Sequence, residues 1–173
     1  MSGPAPLPWF TFSLTLAPDL VRERLPGAAL PAWPEGEVVE ALDVEPRYDV
    51  EVPAWGGRVA RLVNAPGQRL TGRLRALPAS GWPEVAEWEA RLVGATFERP
   101  VRVRTASGSV IPARTFTPPA SSPPATGPVS EAFVLALARA AEQARLPADV
   151  VTRLQAEARL VQLVQRAQAE RLR

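Results

Sequence analysis

A chain of 173 residues, 46% of them hydrophobic, is long enough for one domain with a real core. It contains no cysteine, histidine or lysine, which excludes disulfides, thiolate and imidazole catalysis, lysine Schiff bases, and metals held by cysteine or histidine. The net charge is only +2, but residues 1–57 carry three arginines against nine acids, residues 58–116 ten against four, and residues 117–173 seven against five. The basic middle could attract an acidic ligand or nucleic acid; pairing with the acidic first third explains it more simply.

Residues 1–8 form a Pro-rich stretch that reads as a disordered tail. It has neither the basic region nor the apolar block of a signal peptide. No run of about 18 apolar residues follows, so no transmembrane helix is expected and the expected compartment is the cytoplasm. Trp9–Leu16 reads as a strand, and Ala17-Pro18-Asp19-Leu20 turns into a short helix ending near Arg24-Leu25-Pro26-Gly27. A loop is expected over residues 28–36, then strands at Val38–Leu42 and Tyr48–Val52, split at Glu45-Pro46. Pro53–Gly57 is a turn. Arg58–Asn64 and Arg69–Leu77 are expected as partner strands around a type II turn at Ala65-Pro66-Gly67-Gln68. In the second of these, Leu70, Gly72, Leu74 and Ala76 alternate with Thr71, Arg73, Arg75 and Leu77, so one face is core and the other carries arginine.

Residues 81–92 read as a helix, with Pro83 suited to its first turn. At 100° per residue, Glu84, Glu87 and Arg91 share one face, and Val85, Trp88 and Leu92 the opposite one. Glu89 falls on the apolar side. An inward carboxylate needs either a buried partner or a catalytic role, and periodicity alone favours the partner. Val101 and Val103 alternate with Arg102 and Arg104 in a further strand, and Ala106-Ser107-Gly108 turns it into a last strand at Ser109–Phe116. Residues 117–128 are a Pro-rich linker. Beyond it, residues 129–173 form an αα-hairpin, N-capped by Ser130 and broken at Leu146-Pro147-Ala148-Asp149. Too small to stand alone, it should pack on the rest of the chain or on a second copy, which suggests a homodimer through the C-terminal helices.

The order of these pieces resembles the gamma-glutamylcyclotransferase-like family. The clearest match is Trp55-Gly56-Gly57-Arg58-Val59-Ala60-Arg61-Leu62-Val63, then Pro66-Gly67, then Leu70-Thr71-Gly72-Arg73-Leu74. Glu87-Trp88-Glu89-Ala90 stands where the family carries its catalytic glutamate, Phe97-Glu98-Arg99 where it has an aromatic-x-Arg step, and Arg24-Leu25-Pro26 where it has Arg-x-Pro. The resemblance covers residues 9–116 and leaves the hairpin at 129–173 unexplained. It implies an α+β fold, a small mixed β-barrel with few helices, to which the helical hairpin is added. It also implies a small-molecule γ-glutamyl substrate cyclised to 5-oxoproline with release of an amine, with no cofactor and no metal. Glu89 would be the general acid/base, and Phe12, Ser13, Leu14, Thr15 and Leu16 would form the substrate loop.

Two departures stand out. The family's Tyr-Gly-Ser-Asn-Leu loop is Phe12-Ser13-Leu14-Thr15-Leu16 here, and the Gly expected after the glutamate is Ala90. A left-handed backbone at Ala90 would be strained. Three readings follow: a cyclotransferase-like enzyme of altered specificity, a non-catalytic small-molecule-binding or interaction module, and, well behind, nucleic-acid association through Arg73, Arg75, Arg102 and Arg104.

Overall fold

The computed structural model describes residues 3–27 and 33–173, so part of the loop expected at 28–36 lies outside the described residues. Strands β1 (Leu7–Thr11), β2 (Glu37–Val52), β3 (Gly57–Leu77), β4 (Phe97–Arg104) and β5 (Val110–Thr117) close into a barrel in the order β1-β3-β2-β4-β5. Helices α1 (Pro18–Arg24), α2 (Trp82–Val93), α3 (Glu131–Gln143) and α4 (Ala148–Arg171) complete the chain. All strand pairs are antiparallel except β1 with β5, which gives the mixed barrel and the α+β class expected. Among the described residues no helix is long and apolar enough to cross a membrane.

Turn signals at Glu45-Pro46 and Ala65–Gln68 predict four short strands, yet the chain runs through both points as β2 and β3. Arg58–Asn64 does not pair with Arg69–Leu77; both pair with β2. Between the pairs Leu42↔Arg69 and Val44↔Asn64, residues 65–68 stand opposite Asp43 alone. Asp43 adopts φ 58°, and its Oδ1 accepts the Gly67 N–H at 2.9 Å. The predicted turn is therefore a bulge held by a side chain from the neighbouring strand. The reversal sits at Pro53–Trp55, closed by Gly56 at φ 67°.

The first strand is also shorter than the predicted Trp9–Leu16. It begins at Leu7 and stops at Thr11, and Leu14–Leu16 wind into a 3-10 turn in which Leu16 N–H donates to Ser13 O at 3.0 Å. Winding lets Leu14 and Leu16 enter different clusters. Leu14 joins Trp9, Val59 and Trp88 in the main core, and Leu16 joins Leu20, Ala140 and Ala141 between α1 and α3. In a strand both would have shared one face.

The helical hairpin packs on the barrel. Ser130 Oγ accepts the Phe133 N–H at 3.0 Å and donates to Trp55 O at 2.6 Å, so the N-cap is also a tether to the barrel. Phe133 is fully buried against Trp55 and Tyr48.

The arginine-bearing face of β3 is covered. Arg73 and Arg75 are buried. Arg73 Nε donates to Ala144 O at 2.7 Å, at the C-terminus of α3, where a cation also suits the helix dipole. Arg75 donates to Pro34 O at 2.7 Å, Glu35 O at 3.1 Å and Leu16 O at 2.9 Å. Burial, then repulsion from Arg73, lowers the pKa of Arg75 to about 10. These arginines satisfy carbonyls of segments laid over the sheet, which strand periodicity cannot foresee.

Candidate functional site

Helix α2 forms as its sequence predicts. Its C-terminus is closed by Gly94 at φ 69°, whose N–H donates to Ala90 O at 2.9 Å, while Ala95 N–H donates to Glu89 O at 3.2 Å. The left-handed glycine thus comes five residues after Glu89. Ala90 lies inside the helix, so the strain expected there does not arise.

Val85, Trp88 and Leu92 are buried, and Glu89 is buried with them at 3% exposure. Its Oε1 accepts the Thr15 hydroxyl at 2.6 Å, and Thr11 Oγ1 lies 2.5 Å from Thr15 Oγ1. Thr15 has one hydroxyl hydrogen and gives it to the carboxylate, so Thr11 must donate to Thr15. Both threonines are as buried as the glutamate. Burial is the larger influence on Glu89 and the Thr15 hydrogen bond opposes it; together they lift its pKa from 4.5 to about 7. Among the described residues Thr15 is the one hydrogen-bond partner of this carboxyl. The buried partner that periodicity favours is thus a threonine hydroxyl.

The five predicted loop residues divide. Phe12, Ser13 and Leu16 line a cavity of about 230 Å³ between the barrel and helices α3 and α4. Leu14 turns into the core beside Trp9 and Trp88, and Thr15 turns to Glu89. Glu89 is not part of that cavity's lining. The far wall is built by Tyr48 from β2 and by residues the sequence did not single out, Phe133 from α3 and Arg153 and Glu157 from α4. The i,i+4 spacing of Arg153 and Glu157 was a usable signal for a shared face, though not for what it faces. Among the described residues no group of three acidic side chains converges as a metal site would require.

No family model matches this sequence, and no curated protein does. Solved structures do match. One described as a gamma-glutamyl cyclotransferase superimposes with a TM-score of 0.66 over 87% of this chain and 86% of its own, at 19% identity. The fold is that of a gamma-glutamylcyclotransferase. A yeast gamma-glutamyl cyclotransferase specific to glutathione matches with a TM-score of 0.52 over 91% of this chain and 97% of its own, at 14% identity. YkqA from Bacillus subtilis matches with 0.64 over 89% of this chain and 54% of its own, at 17% identity. Coverage of this extent exceeds residues 9–116, so the likeness to the cyclotransferase fold reaches into the C-terminal helices that the sequence resemblance left out.

Proposed function

We propose that this chain is a small-molecule-binding protein built on the cyclotransferase-like fold, with Glu89 a buried structural carboxyl rather than a working acid/base. The setting of Glu89 carries this reading. The carboxyl is 3% exposed and bonded to Thr15, while the cavity beside the loop is lined by Phe12, Ser13 and Leu16 without it. Cyclisation of a γ-glutamyl compound needs its α-amine within about 2.6–3.2 Å of the base. Glu89 is absent from the lining of this cavity, and Leu14 takes a place in the core where the family's loop has a small polar residue.

One observation favours a second reading. A carboxyl with a pKa of about 7 is poised to take a proton from an ammonium and return it to a leaving amine. The α-amine of the substrate would attack its own γ-carbonyl, the C–N bond to the leaving amine would break, and 5-oxoproline would form. For this the Leu14–Leu16 turn must open. A 5-oxoproline assay over a panel of γ-glutamyl amines, with Glu89→Gln as control, separates the two readings.

The geometry does not favour nucleic-acid association. Arg73 and Arg75 are buried, and Arg102 is paired with Asp43 at 2.6 Å. We place the protein in the cytoplasm, and the homodimer at the outer face of α4, where Leu160, Leu163 and Val164 are exposed.

A further inference from the structure

The cavity beside the Phe12–Leu16 loop has a polar rim that the fold uses only in part. Four charged side chains line it: Glu45, Arg69, Arg153 and Glu157. Two have partners, Glu45 with Arg47 at 3.6 Å and Arg69 with Glu40 at 3.3 Å. Arg153 and Glu157 have neither an ion pair nor a hydrogen bond among the described residues, although they stand four apart on one helix. Tyr48 faces the same space, and its buried hydroxyl has no hydrogen-bond partner among the described residues. The three groups feel one another: burial and then Glu157 raise the pKa of Tyr48, and Arg153 opposes them. A positive and a negative group stand unpaired at one opening, with the orphaned hydroxyl sealed behind them, and a ligand carrying both charges would pair with the two.

The size of the cavity narrows the choice. About 230 Å³ lies above the ~150 Å³ that holds benzene and below the ~300–1,000 Å³ typical of larger ligands. The inner wall is apolar, with Leu16, Phe133 and Leu137 all buried. We infer that this cavity binds a free apolar α-amino acid. Its carboxylate lies against Arg153, its ammonium against Glu157, and its side chain points inward toward Leu137 and Leu154. The inference rests on the binding-protein reading above and gives that reading its ligand class.

The test is calorimetric titration of the full chain with L-leucine and L-phenylalanine, beside N-acetyl-leucine, which lacks the ammonium, and leucinamide, which lacks the carboxylate. The same titrations are run on Arg153→Gln and Glu157→Gln, both at the rim, where a fold change is not expected and circular dichroism checks that none occurs. Leucine should bind. Both derivatives, and leucine with either charge variant, should bind roughly tenfold more weakly or worse. Equal binding of leucine and its derivatives overturns the proposal. So do unchanged affinity in both charge variants, and no binding of either amino acid at millimolar concentration. Turnover is read separately: Glu89-dependent release of 5-oxoproline would refute the binding-only reading, whereas the rim variants report on amino-acid affinity alone.

Discussion

Replacing Glu89 by Gln keeps the shape and removes the charge, so it isolates the cost of burying this carboxyl. In the folded chain its pKa is lifted from 4.5 to about 7. Each pH unit of displacement is worth about 1.4 kcal/mol. The whole displacement therefore corresponds to about 3 kcal/mol, an order-of-magnitude figure for a group only 3% exposed. The sign follows from proton counting. Below pH 4.5 the carboxyl is protonated in both folded and unfolded chains, and its burial carries no charge penalty. Between 4.5 and 7 the folded chain holds the proton that the unfolded chain has released, so stability falls as pH rises, and above 7 the loss is complete. Urea unfolding of wild type and Glu89→Gln across this range cancels the other titrating groups to first order. The difference should be near zero at about pH 4 and should grow until the variant is the more stable by about 3 kcal/mol at about pH 8. A pH-independent difference, or a variant that is less stable at pH 8, would show that the carboxylate is well solvated or paired and would refute the electrostatic account of this site.

Three further predictions rest on other contacts. Thr15→Val removes the hydroxyl bonded to Glu89 and strands Thr11, so it should destabilise by about 1–3 kcal/mol at pH 8 and less at pH 4, read by the same unfolding curves. Arg75→Met leaves the carbonyls of Pro34, Glu35 and Leu16 without their donor and should cost about 3 kcal/mol; a neutral result would mean that those carbonyls find other partners. Leu163→Glu on the outer face of α4 should convert a dimer to a monomer in size-exclusion chromatography with light scattering, and a monomeric wild type would dismiss the interface.

The parts of this structure that sequence made legible depend on neighbours along one element. Helical period alone turned Glu89 inward, and Ser130 announced the start of α3. What escaped depended on partners far along the chain. Pro66-Gly67 reads as a turn, but the Asp43 side chain, 24 residues away, makes it a bulge in a continuous strand. Arg73 and Arg75 alternate as solvent-facing residues should, yet residues 34–36 and the end of α3 cover that face and need its donors. The loop was legible in identity and not in direction. Phe12 through Leu16 stood out as a unit, but the 3-10 turn sends Leu14 and Thr15 one way and Ser13 and Leu16 another. The partner of Glu89 was therefore unreadable, because a strand through Leu16 gives no reason to aim Thr15 at α2. The cavity's far wall was missed for the same reason, since it joins β2 to α4, more than a hundred residues apart.

The most direct test is the release of 5-oxoproline from a panel of γ-glutamyl amino acids and amines, with wild type and Glu89→Gln compared at neutral pH. The binding-protein reading predicts no release above background from either chain. Release by wild type that Glu89→Gln abolishes would contradict it and establish Glu89 as the working acid/base.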